Sequence, residues 1–259
     1  MQIAPVAEAI GRPASRETSQ RTRIRILEAA TREFAERGFD AGRMDEIALR
    51  AGVAKNVLYY YFGSKDDLFS AVLERTYEAI RARQQDLHLR NLEPVEAMRQ
   101  LVVFTGRIWS QFPHFQRLLH SENLHEGRHV ARSERIPQLY NPLMDTLQAL
   151  LARGHTAGVF RADVDPVDLY ISITSLSAHY VAHQHTFAAI FGKRLMTPGR
   201  LKQRLDHAAD MVLAYLRAAP AAAARKRITR ALPEAARRPR GAARQDAPAR
   251  SRSAPSRSL

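Results

Sequence analysis

The chain has 259 residues, 45% of them hydrophobic, enough apolar material for one large or two small domains with a sizeable core. Its formal net charge is +14, from 40 Lys and Arg against 26 Asp and Glu, and it contains no cysteine. Disulfides, thiolate zinc sites and cysteine nucleophiles are thereby excluded, which fits a reducing cytoplasm, and no apolar run approaches the roughly 18 residues of a membrane span.

The charge favours polyanions, but it is unevenly spread. From Pro220 onward 11 Lys and Arg face only Glu234 and Asp246, so 9 of the 14 net charges lie there. This Ala-, Arg-, Pro- and Ser-rich stretch lacks aromatic residues and reads as a disordered basic tail, residues 220–259. It is suited either to adding salt-sensitive affinity for nucleic acid or to serving as a solubilising or vestigial extension. An argument for DNA in the folded part must therefore rest on pattern.

Residues 1–18 hold no sustained period and read as a disordered arm, without the basic-then-apolar order of a secretory signal. The first helical period opens at Arg23, with Ile26, Leu27, Ala29, Ala30 and Phe34 on one face and Gly38 as its stop. Met44, Ile47, Ala48 and Ala51 mark a short second helix ended by Gly52. A third runs from about Ala54 to Phe62. Ser64 opens a fourth, with Asp67 as its capping-box partner and Leu68, Val72, Leu73 and Ile80 as its stripe.

Beyond Pro94, a fifth helix runs through Val95, Met98, Val102 and Trp109 and stops at Pro113. A short sixth covers about 114–123. The cleanest amphipathic pattern joins Ile136, Leu139, Tyr140, Leu143, Leu147, Leu150 and Leu151, with Gly154 and Gly158 expected to end it. Asp165 and Pro166 form a cap-then-proline start. The helix they open, to about His185, is apolar on several faces and must be buried on several sides. Thr197-Pro198 opens the last helix, striped by Leu201, Leu205, Ala208, Val212 and Leu216. No strand or internal repeat emerges, so the fold is all-α.

The informative spacing is helix, Ala51-Gly-Val-Ala54 turn, helix. Gly52 supplies the positive φ of a tight turn, and Val53 and Leu58 pin the third helix to the first two. Lys55, Asn56, Tyr60 and Tyr61 are left outward, where Lys and Asn suit base edges and tyrosine hydroxyls suit phosphates. This is a helix-turn-helix whose recognition helix reads a major groove.

The stretches Arg23-Ile-Arg-Ile-Leu-Glu-Ala-Ala30, Phe34-Ala-Glu-Arg-Gly-Phe39, Met44-Asp-Glu-Ile-Ala48, Ala51-Gly-Val53, Leu58-Tyr-Tyr-Tyr-Phe62 and Lys65-Asp-Asp-Leu-Phe69 closely resemble the TetR/AcrR family of bacterial repressors. The resemblance covers residues 19–75. It implies a three-helix DNA-binding domain over 19–80 and a helical ligand-binding and dimerisation domain over 81–219. It also implies that Lys55, Asn56 and Val57 lie nearest the bases and that Tyr59, Tyr60 and Tyr61 approach the backbone. Lys65, Arg43 and Met44 would lie beside phosphates. Gly42 and Arg43 stand where the family often has Thr or Ser, and Tyr61 where it often has His, which bears on operator sequence and not on fold.

The expected partners are a double-stranded DNA operator, a small-molecule effector and a second copy of the chain, with no membrane and no cofactor. Aromatic and polar residues that interrupt the apolar helices are the candidate ligand contacts: Trp109, Phe112, Phe115, Asn123, Tyr140, Tyr170, Thr174, Ser177 and Tyr180. His179, His183 and His185 lack a third ligand, so no metal is expected. A helical enzyme with an accessory DNA-binding domain would need a convergent acid–base cluster in the C-terminal half, and the sequence offers none.

Overall fold

The computed structural model describes residues 16–85 and 87–217, so the basic tail and the first fifteen residues of the arm lie outside the described residues. Among the described residues eleven α-helices follow one another: α1 Arg16–Ala41, α2 Met44–Ala51, α3 Lys55–Phe62, α4 Lys65–Gln85, α5 Pro94–Gln111, α6 Pro113–Leu124, α7 Arg128–Arg132, α8 Arg135–Thr156, α9 Pro166–Ala182, α10 Gln184–Phe191 and α11 Pro198–Arg217. A 3-10 turn, Leu89–Asn91, links α4 to α5. No strand occurs among the described residues.

The buried residues form two apolar cores. The first joins Ile26, Phe34, Ile47, Leu58, Phe62 and Phe69 of α1–α4 and extends to Phe115, Leu118 and Ile136. The second joins Met98, Leu101, Leu147, Ile173, Val212 and Leu216 of α5, α8, α9 and α11. Helix α4 belongs to the first core through Leu68, Val72, Leu73, Tyr77 and Ile80 and also packs on α8. It is therefore the rod between the two halves.

Side-chain caps set the starts of α9 and α4 as expected. The Asp165 carboxylate accepts the Val167 and Asp168 N–H groups, both at 2.8 Å, with Pro166 in the first turn. At α4 the Ser64 hydroxyl accepts the Asp67 N–H at 3.1 Å. The Asp67 carboxylate does not reach back to the Ser64 N–H; it takes the Ser64 hydroxyl proton at 2.6 Å, because Asp is one carbon shorter than Glu.

Gly38 ends the long first stretch of α1 as expected: at φ 76°, ψ 176° it is non-helical, and only a short turn to Ala41 follows, with Phe39 turned into the core and its N–H donating to Ser121 Oγ of α6 at 2.8 Å. Three expectations need correction. Helix α1 begins at Arg16, so residues 16–18 are helical and do not belong to the arm. Gly154 does not stop α8, which continues to Thr156. It is glycine because the Phe160 ring lies where a Cβ would be, and the actual turn is made by Gly158 at φ 70°. The apolar helix from Pro166 breaks at His183, and α10 follows.

Helix α7 gave no periodic signal because five residues are too few for one. A buried carboxylate fixes it: Glu122 accepts the His129 and Val130 N–H groups at 2.8 and 2.9 Å and meets His129 Nδ1 at 2.6 Å. The other ring nitrogen of His129 lies 3.2 Å from Asp66 at the start of α4.

Candidate nucleic-acid interface and cavity

The helix-turn-helix is assembled by one glycine and two buried anchors. Gly52 adopts φ 63°, ψ 41°, and the turn closes when Gly52 and Val53 donate to Leu49 and Ala48 carbonyls at 3.1 and 3.0 Å. Leu58 and Phe62 of α3 are buried, which fixes the rotation of α3 about its axis. Lys55, Asn56, Tyr59 and Tyr60 are consequently exposed, Tyr60 to 85%.

The remaining sequence-derived positions sit less freely. Val57 is half-buried. Tyr61, expected on the outer face, is half-buried too, and its hydroxyl is 2.9 Å from Ser19 Oγ of α1. Its spacing from Leu58 turns it to the flank of α3. Arg43 is exposed and is the N-cap of α2, its N–H donating to Glu33 Oε1 at 3.2 Å. The Met44 side chain is buried in the first core.

Both lysines are engaged within the protein. The Lys55 ammonium is 2.8 Å from Asp45 Oδ1, and that hydrogen-bonded carboxylate raises its pKa. Lys65 donates to the Asp40 carbonyl at 2.9 Å and lies over the Phe39 ring; partial burial lowers its pKa. Sequence reasoning missed Glu33, fully buried on α1. It faces Arg37 at 3.3 Å and Arg50 at 3.4 Å besides the Arg43 N–H, and so ties α1 to α2.

In the other half, five of the nine ligand candidates converge. Trp109, Phe115, Tyr140, Tyr170 and Thr174 line a cavity of about 200 Å³ together with Arg81, Thr105, Ile108 and Leu119. Trp109 stacks on Phe115 at 5.4 Å, and Tyr140 meets Tyr77 and Tyr170 edge-on at 5.6 and 5.9 Å. Burial pushes the Tyr77 phenol up to about 12 and raises that of Tyr140 further, so both keep their protons at any neutral pH. Arg81 was missed because it follows the apolar stripe of α4; its spacing of four from Tyr77 was the available signal.

The other four candidates lie elsewhere. Phe112 sits under the Arg83 guanidinium at 4.8 Å. The exposed Asn123 donates to the Leu119 carbonyl at 2.7 Å. Ser177 is buried against Gly106. Tyr180 donates to the Leu195 carbonyl at 2.7 Å. A wider groove of about 920 Å³ lies between α6, α9 and α11; Asn123 and Trp109 line it, as do Met211 and Tyr215, and Val167 and Ile171 of α9 are exposed as well.

No helix among the described residues is long and apolar enough to cross a membrane. None of their His, Asp and Glu clusters is suited to a metal.

Comparison with known proteins agrees with this geometry. Residues 26–72 match the model for bacterial regulatory proteins of the tetR family, and residues 94–212 match that for a tetracyclin repressor-like C-terminal domain. The HTH-type transcriptional repressor NicS of Pseudomonas putida is 33% identical over 199 residues, covering 77% of this chain and 94% of its own. The HTH-type transcriptional regulator RutR of Escherichia coli is 28% identical over 196 residues, covering 74% and 89%. A TetR family transcription regulator from Marinobacter aquaeolei superposes with a TM-score of 0.59 at 21% identity, covering 78% of this chain and 98% of that one. The chain belongs to the tetR family of bacterial regulatory proteins and is a helix-turn-helix transcriptional regulator.

Proposed function

We propose that the protein is a homodimeric repressor that holds a palindromic operator through α3 and releases it when a small molecule fills the cavity beside Tyr140. The observation that carries this reading is the course of α4. It starts at Lys65, three residues after α3 ends, and its other end supplies Arg81 to the cavity wall. A ligand that favours one setting of α4 thereby changes the spacing of two recognition helices, to the extent of its differential affinity for the two settings.

In this reading residues 19–80 are the DNA-binding domain and 81–219 the effector and dimer domain. Lys55, Asn56 and Tyr60 meet bases and phosphates. Val57, Tyr59, Tyr61, Arg43, Met44 and Lys65 flank them. Dimerisation uses the exposed apolar faces of α9 and α11, since two half-sites are what make one short helix specific. The similarity to NicS supports the repressor sign.

Gel-shift titration on the DNA flanking its own gene tests the reading. Lys55→Ala and Tyr60→Ala are each expected to weaken binding about tenfold, on the order of 1–3 kcal/mol per contact, while sedimentation still reports a dimer. Unchanged binding by both variants would remove α3 from the role of reader.

A further inference from the structure

The walls of the cavity carry a charge with no counter-charge. Arg81 lines both the inner cavity of about 200 Å³ and an outer groove of about 420 Å³. The groove also contains His88 and Arg90, and neither space is lined by an acidic residue among those described. The Arg81 guanidinium donates to Gln84 Oε1 at 2.5 Å and, at a long 3.4 Å, to the Tyr170 hydroxyl, and it lies 4.7 Å over the Tyr140 ring. Its Nε is buried without a partner, and so is the indole Nε1 of Trp109, which lines the same cavity. Arg81 as a whole is half-buried, but a buried donor without an acceptor, such as its Nε, is costly.

The edge formed by Nε and the loosely held Nη2 is the edge with which a guanidinium grips a carboxylate through two parallel hydrogen bonds. One cation, two phenols, Thr105 and Thr174 suit a monoanion; a phosphate dianion calls for more positive charge. At about 200 Å³ the inner cavity is nearer the size of a single ring than of the drug-sized ligands that fill pockets of roughly 300 Å³ and more. The stacked Trp109 and Phe115, with Tyr140 and Tyr170, give that ring flat walls.

We propose that the effector is a small single-ring carboxylate, drawn in through the cationic groove and held by the Nε–Nη2 edge of Arg81. This rests on the cavity being the effector site of the repressor described above.

Trp109 is the single tryptophan of the chain, so its fluorescence reports occupancy without DNA. Benzoate and its neutral isostere benzamide are the probes, titrated at millimolar concentrations into the full-length protein. Benzoate is expected to quench Trp109 with an affinity about tenfold or more above that of benzamide. Arg81→Met should abolish that preference and Arg81→Lys should keep only part of it, because an ammonium supplies the charge without the paired edge, each with a helical circular-dichroism spectrum and a cooperative melt. Equal affinities for the two probes in the wild type, no quenching by benzoate, or a preference that survives Arg81→Met would each overturn the proposal. The wild-type comparison decides even where a variant fails to fold. A protein that prefers benzoate yet binds no operator sinks the repressor reading alone; one that binds operator but treats both probes alike sinks the carboxylate alone.

Discussion

At the scale of residues, the side chains proposed to face DNA are held by intramolecular partners, which a bound phosphate would have to replace. Lys55 is paired with Asp45 on the neighbouring helix, both exposed, and a phosphate competes for the same ammonium. Asp45→Asn is expected to leave the melting temperature nearly unchanged and to tighten operator binding by up to about tenfold. Weaker binding in that titration would mean that Asp45 orients Lys55 and does not compete for it. Glu33 is the opposite case, a carboxylate at 0% exposure that gathers Arg37, Arg50 and the Arg43 N–H. Glu33→Ala leaves a cavity and an orphaned N–H at the start of α2, and about 3 kcal/mol should be lost in urea denaturation. A loss under 1 kcal/mol would make Glu33 a bystander.

At the scale of elements, caps and glycines carry specific loads. Asp165 satisfies two N–H groups of α9, so Asp165→Ala should cost about 1 kcal/mol. Gly154 permits close approach of the Phe160 ring inside α8. Gly154→Ala raises helix propensity yet should destabilise by about 1–3 kcal/mol, because the ring must leave its place. Thermal melts of the two variants check both, and a stabilised Gly154→Ala would show that Phe160 repacks freely. A comparable reason applies at Gly42, where a Cβ would lie 2.7 Å from Phe34 Cδ1. A side chain at that position would have to displace the Phe34 ring.

At the scale of the whole molecule, the two halves meet through polar contacts as well as through α4. Phe39 N–H donates to Ser121, His125 faces Asp40 at 3.3 Å, and His129 faces Asp66 at 3.2 Å. All three run from α6 or α7 to the ends of α1 or α4, close to α3. Phe115 and Leu119 of the same α6 line the cavity, so occupancy and recognition-helix position share a rigid element. The proposed dimer makes a prediction at this scale. Replacing both Ile171 and Met211 by Asp should give a monomer in sedimentation velocity and lower operator affinity about tenfold or more, since half-sites then bind one at a time. A variant that stays dimeric would move the interface away from α9 and α11.

The amino-acid sequence alone determined the helices, the Gly52 turn, the Asp165 cap and the outward Lys55, Asn56 and Tyr60, because each depends on neighbours within a turn or two of chain. Only the tertiary structure decided what Arg81 does, since its partner Tyr170 lies 89 residues away. It likewise decided that Gly154 is a packing residue, that Tyr61 is tied to α1, and that Phe112, Asn123, Ser177 and Tyr180 stand apart from the cavity that Trp109, Phe115, Tyr140, Tyr170 and Thr174 share. Periodicity assigns a side chain to the inner or outer face of its own helix. Which inner faces close around an empty space, and which charge is left there without a partner, follows from how the helices cross.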